Sequence, residues 1–208
     1  MMSPGLFAGR DWTRHLPTGD GCLRYFGSFA PNHVELFKQL DAALSWEQRD
    51  LRMPGRAAPI PLPRLECWIG PVPYTYSGVR YEPRSRPSVP GLDALWRRVS
   101  ERAGVAFNAV FVNKYRHGTD SIGWHADDEP VLGPADQVTI ASLSLGATRK
   151  FALKNRFDGT RLEIDLEPGS LLIMDAPIQA RWLHSVPKTA RPINPRINLT
   201  FRRVLEPS

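Results

Sequence analysis

The chain is poor in cysteine, with Cys22 and Cys67 the only two in 208 residues. They are not spaced as a metal knuckle and are too few for a disulfide framework, so they point to a reducing compartment. Also missing is an apolar run of the roughly 18 to 20 residues that a membrane-spanning helix needs. No basic-then-apolar leader opens the sequence. A soluble, cytoplasmic protein with no membrane partner is expected. Gly/Ser linkers and abrupt changes of composition are absent, so residues 1–208 read as one domain, with 1–20 as a loose lead-in and a monomer expected. Lysine is scarce, 5 residues against 22 arginines within a net charge of +6. That balance favours a polyanionic partner, because cationic side chains displace counterions from phosphates. Genomic base composition also produces an arginine excess, so charge leaves the nucleic-acid question open.

Proline is abundant, 20 residues clustered at 54–73 and 83–90. It forces extended or turn geometry there and excludes long helices. Two amphipathic helices are nevertheless predicted. Val34, Leu36, Phe37, Leu40, Ala43 and Leu44 recur at helical spacing after Pro31-Asn32, and Leu92, Leu95, Trp96 and Val99 form a stripe that stops at Gly104. A strand over 23–29 precedes the first helix, and Trp46 after it reads as a core plug. From Phe107 the pattern turns to short strands at 109–115, 138–145, 150–154, 161–166, 170–174 and 197–204, separated by turns such as Asp158-Gly159. A mainly β, α+β fold follows, a barrel or sandwich with helices packed outside.

Several segments carry groups with chemical potential. His125-x-Asp127 with the distant His184 has the composition of a two-histidine, one-carboxylate iron site, in which three ligands hold one face of the ion. Residues i and i+2 of an extended segment point the same way, so the pair can share an ion, although a chance solvated pair looks the same. Alternation over 196–202 puts Arg196, Asn198, Thr200 and Arg202 on one face and Ile197, Leu199 and Phe201 on the other. Two guanidiniums directed together suit a dicarboxylic acid; an exposed edge strand is the alternative. Asn113 with Tyr115, and Ser142 with Ser144, repeat the polar face on two more strands. Tyr74 and Tyr76 put two rings on one side of an extended segment, for stacking on a base or for packing. A turn at Pro54-Gly55 between Arg52 and Arg56 reads as a phosphate-touching arm with Met53 as an apolar wedge, or as a solvated loop.

Taken in order, Asn113-x-Tyr115, Ile122-Gly123-x-His125-x-Asp127-Asp128-Glu129, Ser142-x-Ser144-x-Gly146, Gly169-Ser170-Leu171-Leu172, His184-Ser185-Val186-Pro187 and Arg196-x-Asn198-x-Thr200-Phe201-Arg202 closely resemble the AlkB family of iron(II)- and 2-oxoglutarate-dependent dioxygenases. The likeness is to its DNA-repair branch and covers about residues 22–204. It implies a double-stranded β-helix (jelly-roll) core with outer helices and a nucleotide-recognition lid over 50–80. It also implies His125, Asp127 and His184 as iron ligands and Asn113, Tyr115, Arg196 and Arg202 as 2-oxoglutarate contacts, with Asn198 and Thr200 lining the same face. Tyr74, Tyr76 and Ser77 match the substrate lid, and Asp128 and Glu129 match acidic residues beside the lesion. A base N-methylated at its pairing edge is cationic, and a nearby carboxylate favours it over the normal base.

The implied reaction is oxidative demethylation of 1-methyladenine or 3-methylcytosine in DNA with Fe(II), 2-oxoglutarate and O2, releasing formaldehyde, succinate and CO2. At the tip of 52–55 the chain departs from that branch: Met53 or Pro54 stands where some relatives carry a bulky aromatic, which leaves strand preference open. A same-fold oxygenase acting on RNA, protein or a small molecule, and a non-catalytic binding module, are the alternatives. His15, His33 and His117 match no ligand position.

Overall fold

The computed structural model describes residues 10–51, 58–76 and 78–205. The first half of the chain runs β1 (Trp12–His15), β2 (Cys22–Phe26), α1 (His33–Ala43), β3 (Asp50–Leu51), β4 (Ile60–Pro61), β5 (Leu65–Ile69), β6 (Tyr74–Tyr76), β7 (Val79–Tyr81) and α2 (Leu92–Ala103). The second half is β8 (Ala109–Tyr115), β9 (Ile122–His125), β10 (Ile140–Gly146), β11 (Arg149–Asn155), β12 (Arg161–Leu166), β13 (Leu171–Met174), α3 (Ile178–Arg181), β14 (Trp182–Val186) and β15 (Arg196–Arg202).

Two antiparallel sheets make the jelly roll. A seven-stranded sheet has the order β1-β2-β13-β10-β15-β8-β5, and a four-stranded sheet has the order β12-β11-β14-β9. β15 lies between β10 and β8, so it is an inner strand and not the exposed edge that its two arginines would also suit. Its alternation divides the protein. Ile197, Leu199 and Phe201 face outward, where Leu36 and Leu40 of α1 and Leu92, Leu95, Trp96 and Val99 of α2 cover them. Arg196, Asn198, Thr200 and Arg202 face the space between the sheets. The helices thus bury the apolar side of the sheet, each large side chain contributing roughly 1.5–3 kcal/mol. The stop read at Gly104 is a left-handed cap, φ 72°, whose amide closes on the Ser100 and Glu101 carbonyls.

A second apolar cluster fills the closed part of the roll, with Ile140, Leu153, Leu166, Leu172 and Trp182 among its members. Among the described residues no helix is long and apolar enough to cross a membrane.

The lead-in expected over 1–20 is not loose from residue 12 onward. Trp12–His15 pairs with β2 as the edge strand, and the Trp12 ring stacks on Tyr25 at 5.2 Å. Its other residues, Thr13, Arg14 and His15, are polar and exposed, so no apolar alternation marks the strand. Within the segment expected to form the lid, β6 and β7 make a hairpin and β3 pairs with β4. Arg52, Met53, Pro54 and Arg56 of the expected arm, and Ser77 of the expected substrate lid, lie outside the described residues.

Candidate active site

Strand pairing brings the distant histidine home. His184 on β14 stands opposite His125 on β9, and directly paired residues on antiparallel strands hold their side chains within contact. The two rings lie 4.2 Å apart at 61°. Asp127 follows β9 by two residues, its amide held by Gln179 of α3 at 3.0 Å. His184 Nε2 is then 3.6 Å from Asp127 Oδ2. One donor atom from each of His125, Asp127 and His184 falls within 4.8 Å of the others.

Electrostatics prepare these atoms for a cation. His125 Nδ1 lies 2.9 Å from the Gly123 carbonyl, which only accepts, so Nδ1 carries the proton and Nε2 keeps its lone pair. Burial disfavours the imidazolium at both histidines, lowering the pKa of His125 and pushing that of His184 down to about 3. Burial also works against the Asp127 charge, but the Arg202 guanidinium bonded to it, together with His184 and His125, holds the carboxyl below its usual range. Two neutral imidazoles and one carboxylate are the result. Phe151 stacks on His184 at 5.2 Å and fixes its ring.

The cluster opens on a cavity lined among others by Tyr76, Asn113, Tyr115, Asn198, Thr200 and Arg196. At its far end Tyr115 lies between two guanidiniums, Arg149 at 5.4 Å and Arg196 at 5.3 Å. Arg196 donates to Ser144 Oγ at 2.9 Å and Asn198 Oδ1 at 2.7 Å, and Ser142 Oγ donates to the same Asn198 oxygen at 2.9 Å. Arg196 Nε and Nη1 and Arg149 Nη1 are buried with no hydrogen-bond partner among the described residues. Burial pushes the Arg196 pKa down to about 10. Orphaned cationic donors in a closed pocket call for an anion, because an unpaired buried charge is costly.

Several expected residues fall into place, and others move. Asn113, Tyr115, Arg196, Asn198, Thr200 and Arg202 all line the cavity with the three ligand candidates. The two arginines take different protein partners. They lie six positions apart on the strand, and Arg202 holds Asp127 and rests against the faces of Tyr74 at 4.9 Å and Phe111 at 5.2 Å, while its Nε and Nη1, like those of Arg196, have no hydrogen-bond partner among the described residues. Tyr76 lines the cavity, its ring edge-on to His125 at 5.8 Å. Tyr74 does not: it is fully buried, stacked on Trp68 at 4.5 Å with Arg202 on it, and so supports the site instead of offering a face to a base. Asp128 turns outward to Arg156 at 2.8 Å. Glu129 is half-buried with its pKa raised by burial, Arg202 opposing, and the Tyr74 hydroxyl beside it. Of the unmatched histidines, His117 is exposed and bonded to Thr119.

Arg64, Arg149 and Gln179 were not singled out from the sequence. Arg64 sits in a proline-rich stretch that reads as a loop, and nothing local distinguishes a buried arginine from a solvated one.

A jelly roll that holds two histidines and a carboxylate at its open end, with a cationic pocket behind them, defines the class of non-haem iron oxygenases. The chain belongs to the 2OG-Fe(II) oxygenase superfamily, whose family model matches residues 21–202. It is similar to alpha-ketoglutarate-dependent dioxygenase alkB homolog 3 of Mus musculus, 41% identical over 179 residues that cover 81% of this chain and 60% of that protein. It is also similar to DNA oxidative demethylase ALKBH2 of Mus musculus, 40% identical over 154 residues, 69% of this chain and 63% of the relative. The chain thus spans about 60% of the length of these curated relatives. The solved structure of OsALKBH1 shares the fold, with a TM-score of 0.58 over 92% of this chain and 99% of the other, at 19% identity. The donor set fits the superfamily's two groups: neutral imidazoles with a carboxylate for Fe(II), and orphaned guanidinium donors for the acidic 2-oxoglutarate.

Proposed function

We propose that this protein is a DNA-repair oxygenase that removes methyl groups from N-alkylated bases, 1-methyladenine and 3-methylcytosine among them. The observation that carries the reading is a single cavity lined at one end by His125, Asp127 and His184 and at the other by Arg196, Tyr115 and Asn113, with Tyr76 on its wall. The similarity to DNA oxidative demethylase ALKBH2 supports alkylated DNA as the partner.

In this reading His125, Asp127 and His184 would hold Fe(II). Bound there, Fe(II) would supply the oxidative chemistry by which O2 and 2-oxoglutarate give succinate and CO2 and the N-methyl group is hydroxylated and released as formaldehyde. Arg202 keeps Asp127 ionised. Arg196, Tyr115 and Asn113 receive one carboxylate of the co-substrate, with Asn198 and Thr200 on the same face, so the acid enters with a defined end inward. Tyr76 forms the wall for an extruded base. Glu129 offers a carboxyl near Arg202 and Tyr74, and in its ionised form it favours a cationic, alkylated ring over a neutral one. Tyr74 contributes by holding Arg202, and Asp128 by anchoring the loop to Arg156. We read the protein as a monomer and place it in the cytoplasm, where free Cys22 and Cys67 are stable.

Formaldehyde release from oligonucleotides carrying 1-methyladenine or 3-methylcytosine, with and without 2-oxoglutarate, tests the reading. Release that depends on 2-oxoglutarate is expected from DNA, and methylated RNA assayed alongside distinguishes the RNA alternative. No turnover on any nucleic acid would sink it.

A further inference from the structure

Outside the cavity, a buried relay runs from the lid hairpin to the cationic end. On β7 the Tyr81 hydroxyl donates to Glu66 Oε2. The other Glu66 oxygen lies 2.6 Å from Arg64 Nη2. Arg64 Nε donates to Asn113 Oδ1 at 3.0 Å, and Nη1 donates to the Ser121 carbonyl at 3.3 Å. Glu66 is 0% exposed, and Arg64 and Tyr81 are 3% exposed. Asn113 lines the cavity, whereas Arg64 lies behind it.

The relay settles the orientation of one amide. A guanidinium only donates, so the Asn113 oxygen has to face Arg64, and the NH2 is turned away from it, to the cavity side. With the oxygen free to turn inward, the same residue would present an acceptor to a carboxylate and repel it. A buried ion pair such as Arg64–Glu66 adds little stability over an apolar pair of the same volume. Its use here is geometric. Tyr81 also shares its hairpin with Tyr76, which forms the wall beside His125, so the same relay joins the seat of the lid to the co-substrate end.

We propose that Arg64 is a positioning residue for the acidic co-substrate: steadied by Glu66 and Tyr81, it locks the Asn113 amide with its NH2 aimed at the distal carboxylate. The inference rests on the 2-oxoglutarate site proposed above. Arg64→Lys keeps a cation opposite Glu66 but loses the Nε donor to Asn113. The test is calorimetric titration of the full chain, loaded with Mn(II) as a redox-inert metal, with 2-oxoglutarate and with 2-oxopentanoate, which keeps the keto acid and lacks the distal carboxylate.

Arg64→Lys is expected to weaken 2-oxoglutarate binding about tenfold and 2-oxopentanoate binding less than about twofold, the size of one charge-assisted hydrogen bond. On an Asn113→Ala background the substitution should weaken binding no further, since the two residues act as a unit. Equal weakening of both keto acids, unchanged binding of both, or additive losses would overturn the proposal. If Arg64→Lys does not fold, Tyr81→Phe decides: it removes one hydroxyl remote from the cavity, and selective loss of 2-oxoglutarate affinity supports the relay whereas unchanged affinity overturns it. A wild-type chain that binds neither keto acid overturns the site reading itself, whereas a variant that matches a binding wild type overturns this inference alone.

Discussion

Arg202 lies against Asp127, its Nη2 bonded to one carboxylate oxygen while its guanidinium plane rests over Tyr74 and Phe111. The strand that carries the apolar core thereby also sets the charge of a ligand candidate. Arg202→Met is expected to lower metal affinity about 10- to 100-fold, the usual cost of losing a group that orients a ligand. Titration with Mn(II) or anaerobic Fe(II) measures it, and affinity equal to wild type would show that Asp127 does not depend on this partner.

Removal of a ligand should act more strongly. His184→Ala takes away the ring that β14 sets opposite His125 and leaves two donors for the metal. The visible charge-transfer band expected from anaerobic Fe(II) with 2-oxoglutarate should disappear, along with formaldehyde release. A surviving band would place the metal elsewhere.

Tyr76→Ala separates the base from the co-substrate. Its ring stands edge-on to His125 on the cavity wall. Loss of a stacking surface worth about 1–3 kcal/mol predicts roughly a 5- to 150-fold rise in KM for methylated oligonucleotide. Affinity for 2-oxoglutarate should hold.

Asp120 predicts a pH dependence of stability. It accepts from the Arg116 amide at 2.9 Å and from its guanidinium at 2.8 and 3.0 Å. Burial raises its pKa, but these bonds outweigh that and leave the carboxyl below its ordinary value. A folded pKa below the unfolded one contributes stability that is complete above the unfolded value, roughly pH 4, and is lost as pH falls through the folded value. Asp120→Asn should therefore cost about 1–3 kcal/mol in urea unfolding at pH 7 and progressively less below about pH 4. A difference independent of pH would contradict the pairing.

At the α2 cap, a β-carbon on Gly104 would meet nothing within 4 Å, so only its left-handed backbone, φ 72°, resists substitution. Gly104→Ala should cost about 1 kcal/mol, or about 2–4 °C in Tm. Activity should be unchanged.

How much was legible in the chain can be judged residue by residue. On β15 the alternation of Arg196, Asn198, Thr200 and Arg202 with Ile197, Leu199 and Phe201 told which residues share a face, because strand side chains repeat every two positions. The helix stripes and the Gly104 stop were legible for the same local reason. The order of motifs then led to the fold and to the ligand candidates. Local periodicity has no access to strand partners. The placement of His184 against His125, of Arg202 on Asp127, and of Arg64 behind Asn113 follows from β14–β9, β15–β8 and β5–β8 register and from closure of the roll. Tyr74 and Tyr76 make the distinction plainest. Two residues apart on one strand, they carry the same signal in the sequence. Trp68 and Arg202 close over one ring, and the other is left at the cavity beside His125.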